Sequence, residues 1–385
     1  MKKLLALLLC LVMVVALAAC GSSTTTEEPA EEETTEAAET TEETGEAEAS
    51  GDYFKVGVAM KTQDGPYFVA LADAVCQYCE EEGLVASASD VVVLNANMDV
   101  QKQSANFETF ITDDYDVIFV DCIDPDNVIA DEERATAAGI PVINIDSGVN
   151  NENTDTFVTT VYSDNKANGH ACGLSYANFM GDQEIYSIML SGEKGNVAGN
   201  ERRQGLICGV LEARLGISEE EAWALTEEAD AQLLNTGSYT NEEAKFTIAG
   251  QGWGNWTVND ILNDANDLVV KTEGKLNTMF GENDQMLFGG MQAAESAGLT
   301  NIYYVAAADG AKEAYDYIKG DKTTTSGEYY CTGENSPIQV GKKAVEIAKS
   351  VLVDGVDPAS YDTVSMTEAV CVTKDNVDER YEFGF

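Results

Sequence analysis

The sequence predicts an α/β protein built from two doubly wound parallel-sheet lobes. Three observations carry the sheet prediction. From Val56 onward, short β-rich apolar runs alternate with helix-periodic stretches, the pattern of a parallel sheet covered by helices on both faces. The same alternation restarts at Glu184. The part from Asp52 to Phe385 is too long for one small domain and suits two.

The elements follow in order. YFKVGVAM (Tyr53–Met60) reads as a strand closed by the turn KTQDGP. YFVALADAVCQYCEEEG is then an amphipathic helix stopped at Gly83. VVVLNA (Val91–Ala96) is a strand, DVQKQSANFETFITDD a helix and DVIFVD (Asp116–Asp121) a strand. DNVIADEERATAAG is a helix stopped at Gly139, ahead of the strand IPVINID (Ile140–Asp146). In the second series EIYSIML (Glu184–Leu190) is a strand and NERRQGLICGVLEARLG a helix. After an acidic stretch, AKFTIAG reads as a strand and TVNDILNDANDLVVKT as a helix. LNTMFG, QMLFGGMQAAESAG, NIYYVAAAD and AKEAYDYIKG complete the alternation. The expected first lobe is residues 52–163 with about 333–362; the second is 164–332 with about 363–385.

The segment ahead of the lobes speaks to address. Lys2 and Lys3 precede an apolar run from Leu4 to Ala19 that ends in small residues, the layout of a secretory signal. The run is shorter than the roughly 20 residues of a membrane-spanning helix. Leu17-Ala18-Ala19-Cys20 resembles the bacterial lipobox, which implies cleavage after residue 19, lipidation of Cys20 and anchoring to the extracytoplasmic face of the cell membrane. Residues 20–51 then read as a disordered tether: Glu, Thr, Ala, Ser and Gly dominate, without Lys, Arg or an aromatic ring between Gly21 and Ser50.

Composition excludes some functions. Asp and Glu number 68 against 22 Lys and Arg, a formal net charge of −46, so the surface repels nucleic acid. Seven of the nine cysteines lie beyond the lipobox, an odd and scattered set unlike a disulfide framework. CQYC (Cys76–Cys79) has redox or metal spacing but sits in a helix-periodic stretch, and reads as packing. The single histidine, His170, lies outside the strand-end positions where ligands gather and reads as a packing residue. No Ser-His, Cys-His or Walker pattern appears, and no metal or cofactor motif.

In doubly wound sheets, ligands bind beyond the carboxyl ends of the strands. Those places hold Tyr67 and Phe68, Asp121, Asp146, Asn196 and Arg202, Trp256, Asn283, and Asp309. Carboxylates accept from hydroxyls, Arg and Asn donate in fixed geometry, and aromatic faces cover C–H patches, a mixture suited to a sugar. Asp284 reads as the cap of the following helix.

The body resembles the type I periplasmic binding proteins for ribose and for galactose or glucose, from Val56 to about Ala348 with a gap near Ile217–Thr247. DGPYFVALADAV is similar to that family's first loop and helix, with two aromatics at the cleft. DCIDPDNV, IPVINIDS, SGEKGNVAGNERRQG, GENDQM and VAAADG resemble, in order, the loops that supply ligand contacts. The resemblance implies the nine residues above as the site, a three-strand hinge that joins the two lobes and lets them close, a monosaccharide ligand, an ABC transporter permease as partner and a monomer. Two departures stand out: Ser147 replaces the arginine that ribose-type proteins carry, and the galactose-type calcium loop is absent. The last hinge segment, CTGENSP, offers Thr332 or Glu334 as a further contact. Alternatives with the same fold are a sensor that presents its ligand to a membrane receptor, and a binder of a nucleoside or furanose signal. The enzyme alternative would use Asp146 and Asp309 as a glycosidase pair.

Overall fold

The computed structural model describes residues 53–149 and 155–385. The signal, the tether and Cys20 lie outside the described residues. No helix among the described residues is long and apolar enough to cross a membrane.

The first sheet is built from β1 (Val56–Met60), β2 (Val92–Asn95), β3 (Val117–Val120), β4 (Val142–Ile145) and β5 (Thr159–Ser163), with α1 (Pro66–Glu81), α2 (Val100–Thr112) and α3 (Ile129–Ala137) between them. The second is built from β6 (Ile185–Ser191), β7 (Tyr239–Asn241), β8 (Phe246–Trp253), β9 (Thr278–Gly281), β10 (Ile302–Ala306) and β11 (Gly327–Gly333). Its helices are α4 (Asn165–Met180), α5 (Val197–Leu215), α6 (Glu219–Thr236), α7 (Val258–Lys271), α8 (Asp284–Ser296) and α9 (Lys312–Lys319). The chain then adds α10 (Pro337–Leu352), β12 (Val364–Thr367), β13 (Cys371–Val372) and α11 (Val377–Arg380).

The strand orders are β2-β1-β3-β4-β5-β12 and β7-β8-β6-β9-β10-β11-β13. Without their edge strands the two orders are the same doubly wound pattern, with β6 in the place of β1. The central strands are parallel and buried end to end, as in Val56–Met60 and Val117–Val120, so their sequences read as unbroken apolar runs rather than alternating ones. Each helix turns one stripe inward; in α1 this is Leu71, Ala72, Val75 and Cys79, and Gly83 at φ +74° lets the chain leave the helix.

Two findings differ from expectation. The acidic stretch before β8, to which the sequence pattern assigns no element, is helix α6 followed by the antiparallel edge strand β7. Its start is marked by a reciprocal cap between Ser218 and Glu221, and its end by Gly237 at φ +74°. Second, the sequence pattern assigns residues from 363 onward to the second lobe, but Val364–Thr367 pairs in parallel with β5 of the first sheet. Hydroxyl pairs bind this edge: Thr159 Oγ1 to Ser365 Oγ at 3.0 Å and Ser163 Oγ with Thr367 Oγ1 at 3.1 Å. The crossing to the second sheet therefore lies between Thr367 and Cys371. The other crossings follow β5 and β11, so the chain passes between the two sheets three times.

One buried carboxyl in the first lobe sets a pH dependence. Glu132 on α3 is fully buried and accepts from Asn144 Nδ2 at 2.9 Å and Thr156 Oγ1 at 3.3 Å. Burial pushes its carboxyl up to about 7 from an ordinary 4.5. The folded state thus holds a proton that the unfolded chain releases, and stability falls as pH rises through that window. The shift corresponds to as much as about 3 kcal/mol. Wild-type protein is expected to melt higher at pH 5 than at pH 8, and Glu132→Gln to flatten that slope. Equal slopes in a calorimetric pH series would show that Glu132 is ionised in the fold.

Candidate functional site

The carboxyl ends of both sheets face one another across a cleft. A cavity of about 720 Å³ there is lined by residues of both lobes, including Tyr67, Phe68, Asp146, Arg202, Trp256, Asn283 and Asp309. A neighbouring cavity of about 690 Å³ shares Asp146, Arg202 and Asn335 with it and is also lined by Asn196. Each of these residues stands in a loop that leaves a strand or in the first turns of the helix that follows, which is why sequence reasoning reaches all of them except Asn335.

Asp309 is the hub on the second lobe. Its Oδ1 takes an ion pair from Arg202 at 3.0 Å and a hydrogen bond from Asn335 Nδ2 at 3.2 Å; its Oδ2 accepts from Asn283 Nδ2 at 3.1 Å. Arg202, buried to 7 % exposure, also donates through Nε to Asn165 Oδ1 at 2.9 Å. Asn283 also caps α8, because its Oδ1 accepts from Met286 N at 3.1 Å. Asp284, expected to be that cap, does something else. Its Oδ2 accepts from the backbone N–H groups of Asp309, Gly310 and Ala311 at 3.2, 3.0 and 2.7 Å, and Tyr329 donates to its Oδ1 at 2.6 Å. Asp284 thereby fixes the loop that carries Asp309.

On the first lobe, Asp146 sits at φ +63° where β4 ends. Lys61, just past the end of β1, reaches it at 2.9 Å, reaches Asp121 at 2.9 Å and donates to Ser147 Oγ at 2.7 Å. Burial opposes the charge on Asp146, but Lys61 and Arg202 outweigh it and hold the carboxyl below its ordinary value. The Tyr67 hydroxyl is buried without a hydrogen-bond partner in normal geometry. Lys61 is one of two residues that sequence reasoning missed, the other being Asn335. It supplies beside Asp146 the cation that Ser147 does not, and its ammonium lies 4.9 Å from the centre of the Phe68 ring.

Aromatic walls close the cavity. Tyr67 meets Phe68 and Phe385 edge-on, each at 5.5 Å between ring centres. Trp256 lies flat against Gly192, where an added Cβ would come within 2.3 Å of the ring, and 5.8 Å from the Arg202 guanidinium. Trp256→Ala is expected to weaken ligand binding by roughly 1–3 kcal/mol through lost stacking surface. Unchanged affinity by calorimetric titration would assign the ring to packing alone.

Three expected contacts stand elsewhere. Asp121 is fully buried beneath Lys61, accepts from Ser147 Oγ at 2.9 Å, and lines neither cavity. Burial pushes its carboxyl above the ordinary value. Glu334 is turned away from the cleft into a clamp with Arg380, Gln339 and Tyr315, and Thr332 accepts from Gly310 N at 3.3 Å in the second-lobe interior. The last hinge segment reaches the cleft through Asn335 instead. Asn196 lines only the second cavity, with its side-chain oxygen spent on capping α5 through Gly199 N at 3.0 Å. His170 pairs with Glu212 at 2.6 Å, between α4 and α5.

Known proteins share this arrangement. The periplasmic binding protein domain family matches residues 56–355. The ribose import binding protein of Bacillus subtilis is 24% identical over 299 residues, which is 78% of this chain and 82% of that protein. The D-apiose import binding protein of Actinobacillus succinogenes is 21% identical over 328 residues, 81% of this chain and 92% of that protein. Among solved structures, the periplasmic binding protein component of the arabinose ABC transporter from Shewanella sp. ANA-3 matches with a TM-score of 0.63 at 19% identity, covering 85% of this chain and 94% of that one. Two facing α/β lobes, three crossings between them and a family match over most of the described body give one conclusion: the chain belongs to the periplasmic binding protein family, with the type I fold.

Proposed function

We propose that this chain is an extracytoplasmic solute-binding protein that holds a monosaccharide between its lobes and delivers it to an ABC importer. One observation carries the reading: Asp146, Arg202, Asn283, Asp309 and Asn335 converge on one aromatic-walled cavity. Such a ring offers a hydroxyl-rich ligand both acceptors and donors. Arg202 keeps one terminal nitrogen, and Asn335 its side-chain oxygen, outside the pairings within the site. The relatives named for ribose and apiose import, and solved structures named for arabinofuranose and galactofuranose binding, support a pentose or furanose as the ligand class. In this reading Tyr67, Phe68 and Trp256 stack on the sugar, Cys20 carries the lipid anchor, and the protein acts as a monomer. The relatives, named as import binding proteins, favour binding over hydrolysis.

A thermal-shift screen of residues 52–385 against pentoses, hexoses, nucleosides and polyols tests this. A ligand that binds only the folded state raises the melting temperature. A sugar hit, confirmed by calorimetry, is expected. A nucleoside hit with no response to sugars would overturn the ligand class.

A further inference from the structure

Three thiols far apart in sequence meet in the second lobe. Cys172 on α4 and Cys331 on β11 are fully buried, and Cys371 on β13 is partly exposed. Their sulfur atoms all lie within 4.8 Å of one another, the only such group of potential metal ligands among the described residues. The other four described cysteines, Cys76, Cys79, Cys122 and Cys208, join no such group.

We propose that Cys172, Cys331 and Cys371 form a three-coordinate site for a soft, thiophilic ion of the copper(I) class. The geometry fits. Three sulfurs around one ion with bonds of about 2.3 Å stand about 4 Å apart in a plane. The sulfurs lie within 4.8 Å of one another, so an inward movement of at most about 0.5 Å per thiol reaches that spacing. The donor set selects the ion. All three ligands are sulfur and no histidine or carboxylate joins them, which favours soft ions over calcium, magnesium or manganese. Zinc completes a fourth position in structural sites, and this cluster offers only three ligands. Ser175, one turn along α4 from Cys172, is hydrogen-bonded to the Tyr330 hydroxyl at 3.0 Å. Cys371 gives the cluster its edge toward solvent and therefore a route of entry.

The position gives the site a structural consequence. Cys172 lies on the helix after the first crossing between sheets, Cys331 on the strand before the second, and Cys371 immediately after the third. An ion held by all three ties together the second-lobe ends of the three crossings. Binding releases thiol protons to solvent and involves no change of oxidation state.

The test uses protein reduced and handled without oxygen, with copper(I) supplied from its bathocuproine disulfonate complex. Transfer of one equivalent to the protein is expected, with a sulfur-to-copper absorption band in the ultraviolet. Cys331→Ser and Cys371→Ser are expected to lose that transfer, and Cys208→Ser to keep it. Should the serine variants fail to fold, wild-type protein still decides: copper(I) is expected to protect Cys371, the partly exposed member, from alkylation and to leave Cys76, likewise partly exposed, reactive. Retained transfer in the Cys371→Ser protein, no transfer to wild type, or a Cys371 that stays reactive in the copper-loaded protein would overturn the site. So would a disulfide joining two of the three in protein isolated without reductant and stable to mild reduction.

Discussion

Lys61→Met is expected to destabilise the fold by about 3–5 kcal/mol at pH 7.5, the usual consequence of removing one partner from a buried ion pair. Its two carboxylate partners are unequal: the Asp121 side chain is fully buried, and that of Asp146 is 21% exposed. Without the ammonium, Asp121 keeps one bond from Ser147 and faces a second negative charge. The carboxyl then answers by taking up a proton. The destabilisation is therefore expected to shrink as pH falls from 7.5 to 5, and the double variant Lys61→Met/Asp121→Asn to recover part of the loss. Urea titrations at the two pH values read both effects. A Lys61→Met protein with wild-type stability at pH 7.5 would mean that solvent replaces the ammonium, and that the lysine is dispensable for holding Asp146.

The second large effect concerns binding. Arg202→Ala is expected to weaken sugar affinity by about 2–5 kcal/mol, or roughly 30- to 5,000-fold in Kd. Two losses combine. The ligand loses a charged donor, and Asp309 loses its ion pair while still bonded to Asn283 and Asn335. Arg202→Lys is not expected to rescue, because the guanidinium engages Asn165 through Nε and Asp309 through a terminal nitrogen at once. A single ammonium cannot keep both in that geometry. Calorimetry with the sugar found by thermal shift measures the loss. Wild-type affinity in both variants would place the ligand away from the Arg202 side of the cleft.

Much of the body is legible because its code is local. A fully buried parallel strand writes itself as an apolar run such as VGVAM or VIFV, and an amphipathic helix as a periodic stripe closed by glycine. The helix α6 carries equally plain signals in Ser218, Glu221 and Gly237. Its acidic composition masks them, because charge dominates the stretch and the caps are single residues. The edge strand β12 is harder to see: Val364–Thr367 is short and half polar, and its place beside β5 rests on hydroxyl pairs with residues some 200 positions away.

The same contrast runs through the site. Asp146, Arg202, Trp256, Asn283 and Asp309 can be found because strand ends are readable in sequence and ligands gather there. The last hinge residue is lost to parity. Thr332 and Glu334 lie two apart and share one side of an extended segment, whereas Asn335 points the other way, so reading one position off selects the interior instead of the cleft.

By itself, the sequence determined the α/β class, the two series of strands and helices, the acidic surface, and which loops carry polar and aromatic groups. Each of these is fixed by periodicity, composition or a turn within a few residues. Only the tertiary structure decided that Lys61 neutralises two aspartates, that Asp121 lies beneath the cleft rather than in it, that Asn335 completes the site, and that three thiols meet. These pairings join positions tens to hundreds of residues apart. Their energy depends on burial and on which face of a sheet each side chain takes, and both exist only once the strands have been ordered and the chain has crossed between the lobes.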